Sequence, residues 1–322
     1  MADRLPQRLC LPRLRPARLM LRAGRGTLVA LSARALALAL ACLLMQLSLV
    51  PFALATESTP APQRIVSLNL CTDQLLFELV DEPRILLLSQ LAADESLSFY
   101  ADRAKQKPRF NGSVEAILAL EPDLVLAGSQ ASYGPVSTLQ RVGVNVAVIE
   151  MPESIEGTIS LIHQIADLVG ESDKGHVLAS STLARLESIQ TQPKASNPPL
   201  AVIYLPNGLS PGPGTLKHEL VTLAGFRNLA AELGFSGYGT INIETLLKAK
   251  PGLVIVDSAD LEHASLAQQL LHHPALESAA QKTAILKIPT PTWICAGPQI
   301  IHAARTLSDA RNQATPHSHY LR

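Results

Sequence analysis

Aromatic residues are scarce in this sequence, 4% of 322 positions with a single tryptophan, and charged residues make up only 17%. No CxxC pair and no Cys/His zinc spacing occurs, which excludes a thioredoxin-type redox motif and a zinc finger. Neither common phosphate loop is present. A surplus of one charge sign is also missing, with 27 Lys and Arg against 27 Asp and Glu. That balance is a sum over unlike parts. Arg4, Arg8, Arg13, Arg15, Arg18, Arg22, Arg25 and Arg34 crowd the first 34 positions, where Asp3 is the only acid; beyond them nineteen bases face twenty-six acids. The remainder is acidic, which excludes nucleic acid as its partner, since phosphate binding needs clustered Lys and Arg. Apolar residues at 47% exclude disorder over most of the chain. The length suits one large or two modest domains.

What is present begins with an export signal. The basic arm leads into the uncharged run 35–50, Pro51 breaks it, and Ala53-Leu54-Ala55 supplies a small-x-small cleavage site, so residues 1–55 are read as a secretory signal peptide. Met20 is an alternative start. Sixteen apolar residues fall short of the roughly 20 that span a bilayer, which disfavours a membrane anchor. Lipoprotein processing at Cys42 is a weaker alternative, because it leaves LLMQLSLV attached. No other apolar run approaches membrane length, so the mature chain is expected to be soluble, and periplasmic in a cell with two membranes. It carries two cysteines, Cys71 and Cys295.

Residues 56–63 read as a disordered leader. From Arg64 short apolar runs alternate with amphipathic segments: 65–68, 84–88, 124–127 and 144–149 as strands, and 72–80, 114–120 and 136–142 as helices. A proline-free stretch with apolar residues at helical spacing then runs from Ser154 to Gln190. It reads as one helix of about 37 residues, roughly 55 Å if unbroken, with a bend expected near Gly170 or Gly175. The alternation resumes with strands at 200–205, 253–257 and 284–288 and helices at 216–223 and 299–307. The expected fold class is α/β: two Rossmann-like lobes with mostly parallel sheets joined by one long rigid helix. The boundaries are 64–152 for the first lobe, 153–192 for the connecting helix, 198–312 for the second lobe and 313–322 for a tail. An internal echo supports two equivalent lobes. Residues 113–126 align with 242–255 at a constant offset of 129, each copy pairing an N-cap residue, Ser113 or Asn242, with a glutamate two positions later, then a proline and an apolar strand.

The RIVSL run at 64–68 followed by Thr72-Asp73, the units at Glu115 and Glu244, and the Trp293 loop before the last helix together resemble the periplasmic substrate-binding proteins of ABC importers for cobalamin and iron-siderophore complexes. The resemblance spans residues 64–307. It implies a non-catalytic, monomeric receptor that needs no cofactor, holds an iron chelate or corrinoid between its lobes and delivers it to a permease with its ATPase. It also implies that Glu115 and Glu244, one per lobe, engage basic residues of the permease; the local alternative is that both complement a helix dipole. Relatives of this family that bind bare zinc or manganese use several histidines. Here all nine follow position 160, so no histidine cage between the lobes is expected and no metal site is assigned; His272 and His273 read as solvated helix-end residues, and His317 and His319 as part of a frayed tail, where a weak metal site is the alternative.

In open α/β sheets ligands lie beyond the carboxyl ends of the strands. Tyr133 and Trp293 lie in such loops on opposite lobes and are the expected ligand contacts, with Tyr238 and Tyr100 next. Cys71 and Cys295 fall at cleft-facing loops as well and read as two buried thiols, the alternative being a disulfide that locks the lobes. Arg103, Lys105, Lys107 and Arg109 either meet an anionic siderophore or form a solvated surface. One enzyme motif appears, Gly208-Leu209-Ser210-Pro211-Gly212, which fits G-x-S-x-G after a strand. Pro211 lacks the N–H that an oxyanion hole takes from the residue after the nucleophile. A secreted α/β hydrolase using Ser210 is therefore only the alternative.

Overall fold

The computed structural model describes residues 60–129, 133–190, 197–259 and 284–313, all within one compact unit. The expected signal segment, His272, His273 and nearly all of the tail with His317 and His319 lie outside the described residues. The first lobe runs β1 (Ile65–Ser67), α1 (Leu70–Leu79), β2 (Ile85–Leu87), α2 (Val114–Leu118), β3 (Leu124–Gly128), α3 (Tyr133–Arg141) and β4 (Val146–Ile149). Its four strands are parallel in the order β2-β1-β3-β4. Two helices, α4 (Ile155–Leu168) and α5 (Ser172–Gln190), lead to the second lobe. There β5 (Leu200–Ile203), β6 (Leu209–Pro211), α6 (Leu216–Leu223), β7 (Arg227–Asn228), β8 (Tyr238–Thr240), α7 (Ile243–Ala249), β9 (Leu253–Asp257), β10 (Ala284–Ile288) and α8 (Ile300–Gln313) follow. The parallel order is β10-β9-β5-β7, with β6 and β8 forming a separate antiparallel pair.

The two sheets are one plan used twice. Substituting β5, β7, β9 and β10 for β1, β2, β3 and β4 converts one strand order into the other. The offset of 129 seen in the sequence holds for the backbone: β3 and β9 begin and end at matched positions. Ser113 accepts from the Ala116 N–H and Asn242 from the Thr245 N–H, so both helices are capped three residues in. Glu121 and Lys250, also 129 apart, both adopt the left-handed conformation at φ 43° and 47° that stops the helix before proline.

Strands buried on both faces need apolar residues at successive positions, and these have them. Leu124 and Leu126 enter one core cluster and Val125 another; Leu253 and Ile255 divide from Val254 and Val256 in the same way. The inner faces of both sheets share a single cluster with Leu161, Ile162, Ile165 and Ala166 of α4 and Ala179 and Leu186 of α5. The lobes are thus joined through a common core.

The connector differs from the single long helix expected. Ser154 caps α4 through the Gly157 N–H at 2.9 Å. At the other end Gly170 takes φ 73°, its N–H reaches Asp167 O at 3.2 Å, and the Glu171 N–H reaches Ala166 O at 2.8 Å, the paired bonds of a Schellman stop. The chain then turns back. His163 and His176 rings lie 4.7 Å apart, whereas thirteen residues of unbroken helix would separate them by roughly 20 Å. Gly175 sits where the helices meet, and a Cβ there would run into that of Ala166. The helical spacing passes through Gly170 without a break, so only the backbone conformation and the packing reveal a helical hairpin.

The leader is also shorter than expected. The Gln63 and Arg64 N–H groups both donate to the Asp123 carboxylate, at 2.7 and 3.0 Å. Arg84, 9% exposed, binds Pro62 O at 2.8 Å and also holds Glu171 and Val169 O. Residues 62–64 are therefore pinned to the first lobe and to the hairpin turn.

Candidate functional site

Helices of a parallel sheet run against the strands they connect, so their N-termini gather where the strands end. At that edge of the first lobe Asn69 caps α1, its Oδ1 accepting from the Cys71 and Thr72 N–H groups at 2.8 and 3.3 Å. Gly128, closing β3, leaves room for the Asn69 amide, which a Cβ would strike. Below them Asp73 is fully buried, accepting from the Ser89 N–H at 3.2 Å and from the Ser89 hydroxyl. Burial pushes its carboxyl up to about 7 against the opposing hydrogen bonds of Ser67 and Ser89.

Facing this edge, the second lobe presents the ends of β9 and β10. Asp257 terminates β9, and Lys217 of α6 pairs with it at 2.6 Å, the two side chains only 13% and 9% exposed. Trp293 donates its Nε1–H to the other Asp257 oxygen, and the Lys217 ammonium stands 4.3 Å from the indole centroid. The β10 exit is tied down by Thr290 N–H to Ser258 Oγ and Ala259 N–H to Thr290 Oγ1, both 3.0 Å.

The two edges are bonded to one another. Cys71 and Cys295 form a disulfide with Cα atoms 5.2 Å apart across 224 residues of sequence. This corrects the reading as two thiols: spacing in sequence says nothing of Cα distance, which decides pairing. It also removes both sulfurs as free ligand donors.

Trp293 requires a correction too. It is 2% exposed, with its ring and its N–H both occupied by protein groups, so it is a buried prop of the cleft wall and not a contact surface. Tyr100 is tied to groups of its own lobe. It packs on Phe77 at 5.7 Å and Phe99 at 5.2 Å and donates to Glu78, and Phe77 is six residues, roughly 9 Å, along α1 from Cys71. Burial first, then the bond to Glu78, hold the Tyr100 hydroxyl proton on. Tyr238 is 50% exposed in β8, where burial and then the carboxylates of Glu153 and Asp257 raise its pKa. Tyr133 opens α3, and its side chain lies outside the described residues.

Arg103, Lys105, Lys107 and Arg109 are engaged within their own lobe. Arg103 pairs with Glu82 at 2.9 Å over the Phe77 ring, Lys105 with Asp102 and Glu95, Lys107 with Glu82 O, and Arg109 reaches Ala104 O. Leu91 and Ile294, 47% and 41% exposed in the loops after β2 and β10, were not singled out as candidates. Their signal was legible: an apolar residue in each strand-end loop.

Glu115 and Glu244 are exposed at matched positions of α2 and α7. Their helices start at the strand-end edge, so both carboxylates stand on the cleft side of their lobes. Backbone hydrogen bonding, then the Ser113 hydroxyl at 2.8 Å, lower the Glu115 pKa and keep it ionised. Ser210 gives the hydrolase alternative no support. It is 0% exposed in β6, and its Oγ has no hydrogen-bond partner among the described residues, so no base activates it. No group of three or more metal-ligating side chains converges among the described residues, and no helix among them is long and apolar enough to cross a membrane.

Known proteins carry the same pattern. A family model described as "Periplasmic binding protein" matches residues 65–291, across both lobes. The cobalamin-binding protein of Halobacterium salinarum is 27% identical over 209 residues, 62% of this chain and 55% of that one, so the chain spans about half the length of that relative. Among solved structures, the apo periplasmic heme-binding protein of Roseiflexus sp. RS-1 superposes with a TM-score of 0.64 at 23% identity, covering 78% of this chain and 97% of that one. The periplasmic heme-binding protein HutB of Vibrio cholerae gives 0.65 at 19%, covering 79% and 99%.

Proposed function

The chain belongs to the periplasmic binding protein family, and from that premise we propose that it is a non-catalytic receptor that captures a metal chelate between its lobes and presents it to an ABC importer. The ligand class is an iron chelate or a corrinoid. One observation carries this reading: the family match runs from residue 65 to 291, through both lobes, and takes in the strand-end edge of the first lobe and the end of β9 in the second. The cobalamin-binding relative and the heme-binding structures support the chelate class. The exposed rim of Leu91, Tyr238 and Ile294 suits the apolar face of a large ligand. The export signal read in residues 1–55 supports a periplasmic location, and the protein works as a monomer.

Haemin, cyanocobalamin and a ferric siderophore all absorb where tryptophan emits, so any of them bound in the cleft quenches Trp293, the single tryptophan. At least one is expected to quench saturably with Kd at or below about 1 μM, roughly −8 kcal/mol. Absence of saturable quenching by all three would sink the chelate reading.

We further propose that Glu115 and Glu244 dock the permease. Reversing both charges, Glu115→Lys with Glu244→Lys, is expected to reduce cellular uptake by at least about tenfold, or 1.4 kcal/mol, because like charges are then opposed across the interface. Ligand affinity of the purified protein should not change. Unaltered uptake would remove the docking role.

A further inference from the structure

We propose that the Cys71–Cys295 disulfide is a pin that holds the two lobes in one mutual orientation, and that reducing it frees them to swing about the α4–α5 hairpin. The inference rests on the bridge and the connector alone and does not depend on which ligand is bound.

The bridge joins the lobes on the cleft side, while the connector joins them through the core. Two bodies linked by a hinge can still rotate about it. Tied a second time at a point away from the hinge axis, they cannot. Bridged cysteines cannot have Cα atoms more than about 7 Å apart without backbone movement, and here they stand at 5.2 Å, so opening at this point is limited to about 2 Å.

Both ends of the pin are stiffly mounted. Cys71 sits in the first turn of α1, its N–H held by Asn69 at 2.8 Å. Cys295 is 1% exposed, and its carbonyl accepts from Gln299 Nε2 at 3.0 Å immediately before α8. Motion of either lobe therefore loads the bridge directly. Phe99 of the first lobe also meets His302 of the second, ring centroids 5.1 Å apart and tilted, a contact without a covalent tie.

The pin also shapes the cleft. A ring sandwiched between two surfaces needs roughly 7–8 Å between the atoms on either side, twice an ordinary carbon contact. No macrocycle fits between the bridged loops, so a ligand taken up by the oxidised protein lies beside the bridge, toward the rim. Reduction by a small dithiol proceeds at Cys71, the half-buried partner, in preference to the buried Cys295. The attacking thiolate forms a mixed disulfide there, the electron pair of the broken S–S bond leaves with the Cys295 sulfur, which takes a proton, and the second thiol of the reductant then closes on the first to release Cys71 as a thiol.

The experiment places keto amino acids at Arg141 and Lys248, both exposed and one in each lobe, attaches spin labels to them and measures the distance distribution by pulsed electron resonance. Oxidised protein, protein reduced with dithiothreitol, and the Cys71→Ser/Cys295→Ser variant are compared, each checked for a cooperative thermal transition. A narrow distribution in the oxidised protein that broadens in both bridge-free forms is the expected result. Identical distributions in all three overturn the proposal, as does a broad one in the oxidised protein. Loss of cooperative folding in both bridge-free forms overturns it too, because the bridge would then be a requirement of the fold and not a pin between folded lobes.

Discussion

Replacing Asp257 with alanine is expected to destabilise the protein by about 3–5 kcal/mol, the cost of leaving one member of a buried ion pair alone. Asp257 does two things at once. Its Oδ2 neutralises Lys217 at 2.6 Å, and its Oδ1 accepts the hydrogen bond that Trp293 Nε1–H donates. Alanine satisfies neither, and a buried ammonium without a partner is the dearer of the two losses. Lys217 has no easy exit, since its side chain is only 13% exposed and lies against the indole. Guanidinium unfolding read by circular dichroism measures the loss, and the Trp293 emission should shift with it. The combined Lys217→Met/Asp257→Leu change is expected to be milder than Asp257→Ala alone, because it removes both charges together. A cost below about 1 kcal/mol for Asp257→Ala would mean that the pair is open to water.

The second large effect is a dependence on pH. The folded-state pKa of Asp73 is about 7, above its ordinary value of 3.8, and burial is the main cause. The protonated carboxyl is therefore the form the fold prefers. Below pH 4 the group is protonated whether the chain is folded or not. Between pH 4 and 7 the folded state binds more proton than the unfolded, so stability falls as pH rises, and above 7 the loss is complete. Three units correspond to a loss on the order of 4 kcal/mol. Asp73→Asn is expected to abolish that slope and to leave the variant more stable than the parent at pH 8. Thermal melts of both proteins from pH 4.5 to 8 provide the comparison. Parallel curves would show that Asp73 titrates as an ordinary carboxylate.

Much of the fold was legible because its strands are buried on both faces and so are written as unbroken apolar runs, and because Ser113 and Asn242 announce their helices by capping them. The repeat at offset 129 even located the left-handed pair Glu121 and Lys250, though only the backbone reveals their conformation. The pair β6 and β8 escaped notice, since LSP and YGT carry the proline and glycine that strands avoid. The candidate site was less legible for a different reason. Trp293 stands among loop residues, and its burial is the work of Lys217 and Asp257, seventy-six and thirty-six positions away. Gly170 lies in a pattern that reads as continuous helix, and what stops the helix is a backbone conformation. Residue spacing records what a segment prefers and is silent on what arrives from elsewhere.

The long span of the disulfide also sets an order of events in time. At roughly 5–20 residues per second, the 224 residues that separate its ends take about 10–45 s to synthesise. Through that interval Cys71 has no partner on its own chain beyond residue 55, where Cys295 is the only other cysteine. Mispairing within residues 56–322 is thereby excluded. The hazards left are other molecules and small thiols, which compete for Cys71 until Cys295 is brought to it.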